Sequence, residues 1–340
     1  MPSLPGLTVT PVESSAGFGA TLEGIDLNNL SEPEFKELER ALYTHKLLVI
    51  KNQPNLDPKK QLDLVMRFDP TTPPVHGHGD AKQVMNTFKG QKRMVGANPG
   101  VPSEPMVRMI GRATLPVGYH GATEEIRLTS GTHKAFHRDL LTDEEIESGL
   151  SRFHRWHIDS ALYATHPPKV TSLWAHKLPK SDPVRVVWDA SSPNPQSWSC
   201  PPGLTAFLDC TAMLDQLSPE DRAWVEHSEV EYAPHPYLWI QDSKAMDDGM
   251  GMFSEGKETP EDELPPVDES KIKRYRLVWP NPLTGRLALQ VHLFVVRRLF
   301  LRSSPDAAFE TIDDVAEIRD RLYKVQKPFL KPENILISPQ

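Results

Sequence analysis

The chain has 340 residues, with 38 Lys and Arg against 46 Asp and Glu and a formal net charge of −8. This acidic balance argues against a nucleic-acid binder, which normally carries a basic surface. Two cysteines, Cys200 and Cys210, are too few for a disulfide-stapled scaffold. The apolar runs are too short to span a bilayer, and the first residues do not have the pattern of a signal peptide. We therefore expect a cytoplasmic protein that acts away from membranes.

The predicted elements alternate between short strands and a few helices. Residues 17–27 alternate like a strand, and residues 31–45 form a helix with Ser31 and Glu34 as its capping box. The remaining helices are expected at 58–68, 218–227 and 313–326, and the remaining strands at 47–51, 106–110, 152–158, 170–178, 273–279, 287–296 and 334–338.

Three stretches depart from this regular pattern. Residues 70–104 are rich in Pro, Gly, His and Lys and predict a long loop, residues 179–202 predict an irregular insert, and residues 241–270 predict an exposed, acidic excursion. None of these three stretches reads as a linker that separates two domains. The sequence therefore predicts a single domain over residues 1–340, mainly β with flanking helices.

Histidine next to carboxylate is the pattern that could carry chemistry. The common motifs of nucleotide binders, serine hydrolases and metalloproteases are absent. A facial triad of two histidines and one carboxylate holds iron(II) and leaves its other face open for oxygen and a co-substrate. A His-x-Asp pair on a strand suits such a site, because residues two apart point to the same side.

The sequence holds more of these pairs than composition alone predicts. Thirteen histidines and 46 acidic residues would give about two by chance. Only His157 and Asp159 stand in a strand-like pattern, RFHRWHIDSALY, whereas the other pairs adjoin a glycine-rich loop or a helix end. Those other pairs are His78/Asp80, His137/Asp139 and His227/Glu229. The alternative for every pair is a hydrogen-bonded pair that only stabilises the fold.

A family resemblance favours the metal interpretation. The segments GFGATLEGIDLNNL, ALYTHKLLVIKNQ and RFDP resemble the opening of the TauD/TfdA-type iron(II)/2-oxoglutarate dioxygenases. WHIDSALYATHPPKVTSLWAHKLP resembles the metal-binding region of that family, and HPYLW and NPLTGRLALQVH resemble its later part. RWHIDSALY, EYAPHPYLW, LPPVDES and NPLTGRLALQ resemble the xanthine-hydroxylating branch in particular. The likeness extends over most of residues 6–335.

The resemblance implies a fold, a reaction and two site residues. The fold is a double-stranded β-helix (jelly roll) with flanking helices. The reaction couples decarboxylation of 2-oxoglutarate, to succinate and carbon dioxide, with hydroxylation of a C–H bond, and a purine such as xanthine is the best single guess for the substrate. His157 and Asp159 become two ligands of Fe(II). The expected partner is a small molecule, and the sequence leaves a homo-oligomer open.

The sequence also departs from the family pattern. The family's distal histidine, and an arginine about ten residues after it that binds 2-oxoglutarate, would come after ENILISPQ by alignment, so the jelly roll is expected to lack its last strands. A threonine that helps to bind 2-oxoglutarate has no counterpart in SDPVRVVWD, where Val186 or a neighbour takes its place. His292 and Arg302 have the right spacing to substitute for the distal pair, but we expect His292 to belong to the preceding strand. The competing hypothesis is therefore a catalytically inactive or truncated homologue that acts as a binding or regulatory protein.

Overall fold

The computed structural model describes residues 6–71, 99–129, 133–159, 163, 166–253 and 258–338. The α-helices in these ranges are Glu32–His45, Pro58–Phe68, His133–Phe136, Asp143–Glu147, Cys210–Asp215, Pro219–His227, Pro236–Trp239 and Val315–Gln326. The strands are β1 (Thr8–Pro11), β2 (Ala20–Glu23), β3 (Leu48–Ile50), β4 (Gly100–Val101), β5 (Glu104–Arg108), β6 (Ala113–Leu115), β7 (Ile126–Leu128), β8 (Leu150–Ser151), β9 (Val184–Trp188), β10 (Gln196–Cys200), β11 (Ala206–Leu208), β12 (Glu229–Tyr232), β13 (Arg274–Arg276), β14 (Val278–Pro280), β15 (Leu287–Leu289), β16 (Val296–Leu301), β17 (Glu310–Ile312) and β18 (Ile335–Ile337). No helix in the described ranges is long and apolar enough to cross a membrane.

The long helices begin where their capping residues predict. The Ser31 backbone N–H donates to the Glu34 side chain at 2.8 Å, and the Glu34 N–H returns a hydrogen bond to the Ser31 hydroxyl, so the predicted capping box is confirmed. Asp57 accepts from the Lys59 N–H and caps the helix Pro58–Phe68, which has its predicted bounds. Local capping therefore determines these boundaries.

The strands form several small sheets. The largest sheet among the described residues has the order β13-β12-β16-β17, and all its neighbours are antiparallel. At the N-terminal end, β2 pairs antiparallel with β1 and parallel with β3. The strand β18 pairs with β11, which joins distant parts of the chain. The structure is thus mixed helix and strand.

Two apolar clusters account for most of the interior. The larger one lies between β12, β16 and the helix Val315–Gln326, and it includes the fully buried Trp188, Leu277 and Leu299. A separate cluster forms where the helices Glu32–His45 and Pro58–Phe68 cover the sheet β1-β2-β3. Lys46 and Asp209 form an ion pair at 2.5 Å between the N-terminal part and the main core.

Three expectations about irregular or extended segments need correction. Residues 170–178 are not a strand; Trp174 instead packs on the N-terminal cluster and donates to the carbonyl of Gln53 at 2.9 Å. Within 179–202, β9 and β10 form an antiparallel hairpin, because Val184, Val186 and Trp188 alternate toward the core. The first part of 241–270 is mostly buried rather than exposed, as shown by residues Ser243, Ala245, Asp248, Met250 and Met252. Much of 70–104, from residue 72 to 98, lies outside the described residues.

Candidate metal centre

Residues 152–158 have no regular secondary structure and pair with no described strand, and Asp159 lies in a bend. The imidazole Nε2 of His137 lies 2.7 Å from the carbonyl oxygen of Phe153 and 2.8 Å from that of His154. The N–H of Trp156 donates to the carbonyl of Gly249 at 2.8 Å. These contacts satisfy backbone groups that a neighbouring strand would otherwise satisfy. The predicted strand at 152–158 is therefore wrong. The side chain of His137 and the turn at Gly249 make the contacts that a partner strand would make.

His157 and Asp159 come together at the end of this segment. The Nε2 atom of His157 lies 3.4 Å from Oδ1 of Asp159, and the two side chains are 54% and 59% exposed. The Nδ1 atom of His157 lies 2.9 Å from the carbonyl oxygen of Arg155. When Nδ1 donates to that carbonyl, Nε2 carries the lone pair, which is how metal-binding histidines are usually oriented.

The pair is also coupled electrostatically. The hydrogen bond that the protonated imidazole donates to Asp159 raises the pKa of His157, although burial opposes this effect. The same hydrogen bond lowers the pKa of Asp159, burial opposes it, and the side chain of Thr171 lowers it as well. The carboxylate is thus held in its charged form, which is the form that binds a cation.

This geometry fits two adjacent ligands of one metal ion. Two atoms that each lie about 2.1 Å from an ion, at right angles, are about 3.0 Å apart, close to the 3.4 Å observed. In the ranges described, no group of three or more His, Cys, Asp or Glu side chains is placed to hold a metal ion. The structure therefore brings the two predicted residues together, and their role as ligands stays a prediction.

His292 is the next histidine beside the pair. Its ring centroid lies 6.3 Å from that of His157 and 6.5 Å from the ring of Tyr237. The side chain is 3% exposed, and Nδ1 has no hydrogen-bond partner among the residues that the structure describes. Burial, followed by the charges of His157 and Arg155, holds the pKa of His292 well below its usual value. His292 is therefore a neutral imidazole that borders the site.

Arg302 does not accompany His292 into the site. Its guanidinium donates to the carbonyls of His227 and Pro305, and its backbone N–H donates to the hydroxyl of Ser228. These contacts hold Arg302 at the end of β16, so the spacing of ten residues does not make a distal pair. His292 itself follows β15 and lies outside a strand, where it precedes the short 3₁₀ helix Leu293–Val295.

The two remaining His-x-acid pairs in the described residues do not form sites of this kind. His137 is buried against backbone carbonyls, whereas Asp139 forms an exposed ion pair with Arg138. Glu229 pairs with Arg274, so it does not act together with His227. The pair His78/Asp80 and the HGHG segment lie outside the described residues. Two surface depressions elsewhere, beside Met213 and Leu27, contain neither His157 nor Asp159.

Two residues near the candidate metal pair, Arg155 and Thr171, were not predicted from the sequence. Arg155 is two residues before His157, and burial lowers the pKa of its guanidinium to about 10. The alternation that selected His157 and Asp159 also pointed to Arg155. Thr171 reaches Asp159 from a segment without regular structure, and no local signal predicted that contact.

Comparisons with known proteins agree on one family. The model of the "Taurine catabolism dioxygenase TauD, TfdA family" matches residues 8–328. The chain is 37% identical over 337 residues to the alpha-ketoglutarate-dependent xanthine dioxygenase xanA of Emericella nidulans, covering 98% of this chain and 86% of that protein. It is 38% identical over 326 residues to xan-1 of Neurospora crassa, which bears the same description, covering 95% and 74%. A crystal structure of a taurine dioxygenase from Burkholderia xenovorans aligns over 99% of this chain and 77% of its own, with 15% identity and a TM-score of 0.45. The chain belongs to the TauD/TfdA family of dioxygenases.

Proposed function

We propose that this protein is an Fe(II)- and 2-oxoglutarate-dependent dioxygenase that hydroxylates a small molecule, with xanthine as the first candidate substrate. The observation that carries this proposal is the convergence of His157 Nε2 and Asp159 Oδ1 at 3.4 Å in a family member. The names of the similar fungal proteins support xanthine. A single jelly-roll domain and a cytoplasmic location are part of the same proposal.

The chain's own residues have distinct tasks in this function. His157 and Asp159 would hold the iron, and the Arg155 carbonyl fixes the orientation of the imidazole. The side chain of Thr171 favours the charged form of the Asp159 carboxylate by lowering its pKa. Bound iron would supply the activation of oxygen that is coupled to the decarboxylation of 2-oxoglutarate. The rings of Phe294 and Tyr237 lie beside His292, with centroids 5.5 Å and 6.5 Å from that of the imidazole.

Succinate release tests the proposal. The purified chain, supplied with Fe(II), ascorbate, oxygen and 2-oxoglutarate, should form succinate, and xanthine should increase the rate. His157→Ala should abolish this activity and weaken Mn(II) binding, measured by calorimetry. His227→Ala is the matched control, because His227 belongs to a His-x-Glu pair outside the site, and it should retain both properties. Ligand binding without any succinate would instead favour the non-catalytic binding protein.

A further inference from the structure

Arg155 places a positive charge beside the candidate metal ligands. Its backbone carbonyl contacts His157, and the charge of its guanidinium acts on both His292 and Tyr237. The guanidinium carbon lies 4.3 Å from the ring centroid of Phe136 and 5.8 Å from that of Phe294. The cation is therefore half-buried between aromatic rings at the border of the site.

No carboxylate in the described part of the chain pairs with this cation. Among the described residues, Arg155 has no ion pair, and its guanidinium makes no hydrogen bond. The more deeply buried arginines differ: Arg152 pairs with Asp247, and Arg319 pairs with Glu258. The guanidinium of Arg155 is only partly removed from water, and contacts with the faces of aromatic rings compensate for part of its lost hydration.

A second unsatisfied group faces the same region. Nδ1 of the buried His292 lacks a hydrogen-bond partner within the described ranges, and its ring lies 6.3 Å from that of His157. A buried imidazole nitrogen without a partner is unfavourable for the protein alone, and the partly exposed guanidinium stays accessible to an anion. A ligand that brings negatively charged acceptor atoms would satisfy the guanidinium, and a ligand hydrogen-bonding group would satisfy the imidazole.

We propose that the guanidinium of Arg155, which lies near the same Phe294 ring as the imidazole of His292, binds an anionic group of the ligand that occupies this site. This inference rests on the proposed function, which places that ligand beside His157 and Asp159. Two ligand classes carry the required chemistry: a dicarboxylate such as 2-oxoglutarate, and a planar nitrogen heterocycle in its deprotonated form. The planar fork of arginine matches the paired acceptor atoms of either class.

Equilibrium binding tests the subsite and identifies the ligand class. Calorimetry with the Mn(II)-loaded chain under anaerobic conditions gives the Kd of 2-oxoglutarate and, separately, of xanthine at pH 8.5. Arg155→Gln should lower the affinity for one of the two ligands by a factor on the order of 10 to 100, the usual loss for hydrogen bonds to a charged group. The ligand whose affinity falls is the one whose anionic group binds Arg155. Arg155→Lys should recover part of the affinity, and the exposed Arg185→Gln is the matched control that should bind as wild type.

A measurement on the unmodified chain covers the case in which Arg155→Gln does not fold. Replacing 2-oxoglutarate by 2-oxobutyrate, which lacks the second carboxylate, or xanthine by the neutral hypoxanthine, should reduce affinity for the ligand class that Arg155 binds. Equal affinities within both ligand pairs, unchanged Kd values in Arg155→Gln, or a wild-type chain that binds neither ligand would each overturn the subsite. Arg155-dependent binding without succinate release would uphold the subsite and refute the dioxygenase. Succinate release by the wild-type chain, together with unchanged binding in Arg155→Gln, would uphold the dioxygenase and refute the subsite.

Discussion

Gly249 connects the fold to the candidate metal pair, so substituting it gives a sharp test. Its backbone has φ +69°, its carbonyl accepts from Trp156, and a Cβ atom there would lie 3.2 Å from the Phe153 carbonyl oxygen. Gly285 also has φ +69°, but nothing lies within 4 Å of its Cβ position. The two alanine variants therefore share the same backbone strain and differ only in crowding.

Backbone strain and crowding determine the loss of unfolding free energy that we expect in each variant. A left-handed backbone costs an L-residue about 1–2 kcal/mol, which is the whole effect expected for Gly285→Ala. Crowding against a packed neighbour adds about 1–3 kcal/mol in Gly249→Ala. Relieving that contact must also move Phe153 and the segment that leads to His157. We therefore expect Gly249→Ala, and not Gly285→Ala, to lower the affinity for Mn(II) by about tenfold or more.

Urea unfolding and Mn(II) calorimetry measure the two effects on the same preparations. Equal losses of unfolding free energy in the two variants would show that crowding at Gly249 is unimportant. Unchanged Mn(II) affinity in a clearly destabilised Gly249→Ala would refute the idea that this turn positions the metal ligands.

Further predictions concern single groups. Burial lowers the pKa of His133 from 6.5 to about 4, so on acidification the unfolded chain takes up a proton on this imidazole before the folded chain does. The free energy of unfolding should therefore fall by about 3 kcal/mol as the pH drops from 6.5 toward 4. Urea unfolding that gives the same free energy across that range would contradict this prediction. Tyr323→Phe removes a 2.7 Å hydrogen bond to the buried carboxylate of Asp248 and should cost about 1.5–3 kcal/mol of unfolding free energy; Tyr275→Phe, which loses a surface contact with a histidine, should cost clearly less. Asp159→Ala should abolish Mn(II) binding in calorimetry while circular dichroism stays that of the wild type, and retained binding would exclude Asp159 as a ligand.

The sequence predicted the parts of the structure that depend on neighbouring residues. The helix Pro58–Phe68 has its expected bounds because Asp57 and Pro58 define its first turn. The proximity of His157 and Asp159 was also predictable, since residues two apart in extended chain share a side. Both results need only the local backbone.

The long-range contacts could not be predicted in this way. Residues 170–178 have strand-like composition, but Trp174 finds its partner at Gln53 and the segment pairs with no described strand. His292 was assigned to a strand from its local pattern, whereas the structure places it beside His157. Each outcome depends on which distant segment packs nearby, and periodicity carries no such information.

The hydrogen bond from Trp156 to the Gly249 carbonyl has a consequence for the order of folding. This hydrogen bond closes a long loop between residues 156 and 249, and closing a long loop costs more conformational entropy than forming a local helix. We therefore expect the contact to form after the local helices. We expect the approach of His157 and Asp159, the candidate metal pair, to be acquired late during refolding and lost early during mild denaturation. Release of Mn(II) would then report partial opening of the molecule before the main core unfolds.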